Sequence, residues 1–182
     1  MLNCHVSLGA KRRLKALPLI FIICLTVLLS NCGKGSKNPP PPIAPTLPIT
    51  ETIIATQGGQ IKIPSPHALA GISIDIPVNA LTTDTKISLN TSTIVNRDGF
   101  VATGINLVPE NTLFNSPARI TLIYKDDDLP NGVDESQLLI VHIQSNDQLI
   151  PLANIAVDTE ANRVSGEALF LSDFVIVLPD TQ

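Results

Sequence analysis

From residue 58 onward apolar and polar positions alternate in short runs, and that alternation predicts strands. The run "GISIDIP" sets Ile72, Ile74 and Ile76 on one face and Ser73 and Asp75 on the other, the period-2 pattern of a half-buried strand. "TKISLNTST" repeats it through Ile87 and Leu89. In "ARITLIY" the apolar positions Ile120, Leu122 and Tyr124 are joined by Ile123 on the opposite face, which predicts a more central strand. "LLIVHIQ" is apolar nearly throughout, "VSGEAL" alternates weakly, and "DFVIVL" reads as a buried closing strand. Turn residues fall between these runs, at Gly58-Gly59, Asp98-Gly99, Asn131-Gly132, Asn146-Asp147 and the "DTEANR" loop. No stretch combines helix caps with a sustained 3.6-residue stripe. Many short strands, spaced by about a dozen residues, predict an all-β fold, an antiparallel β-sandwich or barrel.

The N-terminal part follows a different pattern. A basic cluster, "KRRLK", precedes fourteen residues without charge, Ala16 to Leu29. That run is shorter than the roughly 20 residues a membrane-spanning helix needs, and Pro18 weakens a span further. It matches the apolar core of an export signal. The run ends "Leu29-Ser30-Asn31-Cys32", followed by Gly33, and this resembles the lipobox of bacterial lipoproteins. In that family a signal peptidase cuts before the cysteine, whose thiol carries diacylglycerol. The resemblance implies cleavage between Asn31 and Cys32, lipid attachment at Cys32, and residues 1–31 as the signal peptide. Asn31 stands where Gly, Ala or Ser is usual in the family. Cys24, preceded by "Phe-Ile-Ile", fits the pattern poorly and reads as an apolar filler. Gly33 is not the Asp that retains lipoproteins in the inner membrane, so in a double-membraned bacterium the resemblance implies the outer membrane. Two chains on one residue suffice for stable anchoring, where a single chain binds only marginally.

Between Gly33 and Thr50 the chain reads "GKGSKNPPPPIAPTLPIT", with six prolines. The "PPPP" run at 39–42 favours an extended polyproline II spacer, at about 3.1 Å per residue. Residues 32–57 are therefore expected to form a lipid-anchored linker, and residues 58–182 the folded body. The about eighteen residues from Gly33 to Thr50 would reach up to roughly 50 Å.

The order of the pieces in that body carries a further resemblance. "GGQIKIP", "GISIDIPVNALTTDTKISL", "GINLVPENTLFNSPARITLIY", "DLPNGVDESQLLIVHI", "LIPL" and "LSDFVIV" are similar to the ZU-five domain, the family named after zonula occludens proteins and netrin receptors. The likeness covers most of residues 58–178 and is most specific at Ile76-Pro77 leading to Ala80-Leu81, and at Pro109 leading through Phe114 to Pro117. Pro77 is expected to end a strand for want of a ladder donor, and Phe114 to pin a turn into the core. The family implies a β-sandwich used as an interaction or spacer module, with no substrate. Relatives often carry Trp before the "xPL" segment, where this chain has Leu149 and Ile150 before Pro151. Some relatives cleave themselves at His-Phe-Ser. The matching positions here are Phe170-Leu171-Ser172, without the histidine, so Ser172 is expected to be a strand residue and no autocleavage is expected.

Charge and cysteine content then exclude several function classes. Four of the twelve Lys and Arg precede Cys32, which leaves eight against sixteen Asp and Glu and a net charge near −8. An acidic body without grouped Lys or Arg excludes a nucleic-acid partner. Cys4, Cys24 and Cys32 are the three cysteines, so the body has no disulfide, thiolate metal site or cysteine nucleophile. Only His67 and His142 follow Cys32. His67 sits in a loop, and His142 is expected either to point outward or to be a satisfied histidine. No "GxSxG" sets a serine nucleophile, and no helical histidine and acid pair makes a zinc site. The acidic stretch "KDDDLPNGVDE" offers Asp126, Asp127, Asp128, Asp134 and Glu135 as a weak calcium candidate. Its spacing departs from the EF-hand loop, with Pro130 at the fifth position and Gln137 at the twelfth. A solvated acidic turn is the plainer reading. The sequence thus predicts a non-enzymatic, cofactor-free exported protein, held to the membrane through a lipid and displaying a binding or structural module in the cell envelope. The alternatives are an adhesion or envelope-assembly component with a protein partner and, last, an envelope hydrolase.

Overall fold

The computed structural model of the chain describes residues 44–95, 101–144 and 148–178, all within the compact unit Pro40–Gln182. The readings placed on the signal peptide, Asn31, Cys32, the proline run and the turns at Asp98-Gly99 and Asn146-Asp147 lie outside the described residues.

Alternation becomes strand wherever one face can be buried. The strands are β1 (Ile49–Ile53), β2 (Gly59–Lys62), β3 (Ser73–Ile76), β4 (Thr85–Val95), β5 (Val101–Val108) and β6 (Leu113–Ile123). They continue with β7 (Leu139–Ile143), β8 (Leu149–Pro151), β9 (Ala153–Asp158), β10 (Arg163–Phe170) and β11 (Asp173–Val177). Two antiparallel sheets result, the arrangement of a β-sandwich. One has the order β1-β4-β5-β11-β7-β8 and the other β2-β3-β6-β10-β9. The helical pieces among the described residues are two three-residue 3₁₀ turns, Asp126–Asp128 and Glu135–Gln137. None of the described helices is long and apolar enough to cross a membrane.

The core lies between the layers and is aliphatic. Ile72, Ile74, Ile76, Ile120 and Leu122 come from the second sheet and its approaches; Ile87, Leu89, Ile105, Leu107, Phe174 and Ile176 come from the first. Ile72, Ile74 and Ile76 share one buried face, and β3 ends at Ile76, directly before Pro77. β7 and β11 are buried on both faces: Ile140 and Ile176 lie on the core side, and Val141 and Val175 on the opposite side are just as inaccessible.

The sheets are joined at both sides of the sandwich. β1 and β2 are edge strands of different sheets, linked through the turn at Ile54–Gly58; β8 and β9 are the opposite edges, linked through Leu152 alone. Gly58 turns the first corner with φ of 69°, where an added Cβ would stand 2.4 Å from the Ile76 carbonyl oxygen. Only glycine fits such a left-handed, crowded position. At the second corner Gly166 of β10 lets Leu152 pack onto the strand, an added Cβ lying 3.0 Å from the Leu152 Cβ. β10 shifts register against β9 at this point, and a bulge there bends the strand.

Two expectations need correction. β1 falls within residues 32–57, the span read as linker, and pairs with β4 from Ile49 opposite Leu89 to Ile53 opposite Thr85. Only Ile53 of this edge strand is buried, so the stretch carries no alternation to betray it. Ser172 is not a strand residue. It lies in the two-residue link between β10 and β11, where its carbonyl accepts the Leu107 N–H at 3.2 Å, because the chain changes sheets there.

Candidate functional site

The acidic stretch folds into local structure rather than a cation cage. Asp126, Asp127 and Asp128 form one exposed or half-exposed 3₁₀ turn. Asp134 caps the next turn: its carboxylate accepts the Ser136 N–H at 3.0 Å and the Ser136 hydroxyl at 2.6 Å. Those two donors hold Asp134 below the usual carboxylate range. Glu135 accepts the Tyr124 hydroxyl at 2.8 Å. Tyr124 is buried, and desolvation, then the Glu135 hydrogen bond and the charges of Glu135, Asp126 and Asp158, push its phenol well above the usual value. The structure does not gather the five acids of the calcium candidate: among the described residues no three His, Cys, Asp or Glu side chains converge as a metal site.

The two histidines diverge. His67 sits in the turn before β3, where its Nδ1 accepts the Leu69 N–H at 3.0 Å. His142 is on β7, and its ring lies inside the sandwich at 7% exposure, which corrects the outward or satisfied expectation. It stands in register with Phe174 of β11 and Ile150 of β8, both on the core side. Its ring meets Phe170 edge-on, with centroids 5.0 Å apart and planes at 85°. No hydrogen bond to the ring forms among the described residues. Burial alone pushes its pKa below the ordinary imidazole value, which favours the neutral ring.

His142 lines a half-open cleft of about 280 Å³ at the corner where the chain passes from β8 to β9. The walls are Pro117, Ile150, Leu152, Phe170 and Phe174, with Leu169 at the rim. Three local features shape it. They are the β8–β9 crossing at Leu152, the register shift of β10 at Gly166, and the bulge of β6 between Leu113 and Ala118, where it carries Pro117. Proline is at home in such a bulge, having no ladder donor to lose. Leu169 and Leu149 are 57% and 50% exposed and add apolar surface beside the cleft. Among the described residues Glu167 is the one charged residue lining it, and its carboxylate is held by Arg119 at 3.5 Å and by the Asn154 amide at 2.7 Å.

The sequence marks His142 but not the cleft. The signal was present only in part: a polar ring in an otherwise apolar strand, with "LIPL" and "ALF" elsewhere in the chain. Compared with models of known protein families and with curated proteins, the chain matches none significantly.

Proposed function

We propose that the chain is an exported lipoprotein, cut before Cys32 and acylated there, whose β-sandwich acts as a non-catalytic binding module in the cell envelope. The observation that carries the anchor is "Leu29-Ser30-Asn31-Cys32-Gly33" at the end of a fourteen-residue uncharged run behind a basic cluster. The proline-rich stretch after it supports a tether between lipid and body. The likeness of residues 58–178 to ZU-five domains supports a binding or spacer role for that body. So does the half-open apolar cleft at His142, since concave, largely apolar sites with few polar groups are where proteins bind ligands. In a double-membraned bacterium, Gly33 directs the product to the outer membrane.

A Cys32→Ser variant tests the anchor. Expressed beside the wild type and fractionated, it is expected to leave the membrane fraction. A variant that stays with the membrane as fully as the wild type overturns the reading in favour of an uncleaved apolar span.

A further inference from the structure

The walls of the His142 cleft specify a chemistry. An apolar cavity of about 150 Å³ is enough to hold benzene, so about 280 Å³ takes a single substituted ring. Phe170 and Phe174 offer aromatic surface to such a ring, and Ile150, Leu152 and Pro117 complete an aliphatic wall. Among the described residues that line the cleft, the polar side chain without a hydrogen-bond partner is the His142 ring, more than nine-tenths buried. A neutral imidazole carries one N–H and one lone pair, and a buried polar group left unmet is costly. Glu167 does not meet it, because Arg119 and Asn154 hold its carboxylate. Among the described residues no cation lines the cleft to receive an anionic ligand, and the buried apolar walls disfavour any charge.

We propose that this cleft binds a small neutral aromatic molecule bearing one hydroxyl, its ring packed against Phe170 and Phe174 and its hydroxyl hydrogen-bonded to His142. The proposal deepens the reading of the body as a binding module and is independent of acylation at Cys32. An unliganded cleft on an anchored protein would sink the first without the second.

The test uses the protein as extracted from membranes, in lipid nanodiscs with ¹³C-labelled histidine, and p-cresol and toluene as probes, with empty nanodiscs as the blank. The hydroxyl is the difference between the two probes. The account expects p-cresol to shift the His142 ring signal saturably and to bind about tenfold more tightly than toluene, the effect of one added hydrogen bond. The His67 signal stays in place. His142→Phe is expected to bind both probes equally, and Ile150→Trp, which fills the cleft from the residue opposite His142, to bind neither. An unmoved His142 signal at saturating p-cresol, equal affinity for both probes in the wild type, or p-cresol binding retained by a folded Ile150→Trp overturns the proposal. If Ile150→Trp does not fold, the probe ratio in His142→Phe decides alone.

Discussion

His142 is an imidazole that folding largely buries without giving it a hydrogen-bond partner among the described residues. The sign of its pH effect follows. Its folded pKa lies below 6.5, so between the two values the unfolded chain binds the proton more readily than the folded one. Stability is then fully present above about 6.5 and is lost as pH falls through the lower folded pKa, below which the loss levels off. Urea melts from pH 7.5 to 5 are expected to show that decline, and His142→Phe to lessen it; Glu167, in the same cleft, is common to both proteins. Tyr124 is the opposite case, a buried phenol with a partner. Tyr124→Phe removes the bond to Glu135 and is expected to cost about 1 kcal/mol by denaturant melting. In sequence His67 reads as a loop residue and His142 as a strand residue that points outward or is satisfied. What separates them is a local turn that supplies Leu69 N–H to His67, and a sheet packed on both sides around His142. In "LLIVHI" both faces are apolar, so alternation cannot say which face turns inward. The polar member of that strand was visible, but its direction was not.

At the scale of elements, the corners matter more than the strands. Gly58→Ala forces a left-handed φ on alanine and drives its Cβ into the Ile76 carbonyl. It is expected to cost about 3 kcal/mol, measured as a lower urea midpoint. At the same corner the Ala55 N–H donates to the Asp84 carboxylate at 2.9 Å, tying the β1–β2 turn to the approach of β4. Asp84→Ala is expected to cost about 1 kcal/mol in the same assay. Strands with one polar and one apolar face were legible: β3 through Ile72, Ile74 and Ile76, β4 through Ile87 and Leu89, β6 through Ile120 and Leu122. β1 was not, because an edge strand that buries Ile53 and exposes Thr50, Glu51 and Thr52 shows no period. The place of Ser172 was hidden for another reason. "ALFLSDFVIV" is one apolar run in sequence, and only the packing of two sheets decides that the chain crosses between them at Leu171 and Ser172.

For the whole molecule, the all-β class followed from many short strands and a lack of helical stripes, and the two antiparallel sheets agree with it. The cleft was not legible, because it is made by residues distant in the chain, Pro117, His142 and Phe170, that meet only after both sheets form. The acids of "KDDDLPNGVDE" were legible as a cluster in sequence, yet Asp134 serves Ser136, Glu135 serves Tyr124, and among the described residues the five do not converge. Millimolar calcium is accordingly expected to leave the melting temperature unchanged, by circular dichroism with and without chelator. Cleavage before Cys32 and acylation there are tested most directly by the intact mass of protein extracted from membranes. The account predicts a chain that starts at Cys32, lacks residues 1–31 and is heavier than its sequence by attached acyl groups. An unmodified mass that includes Met1 would contradict it.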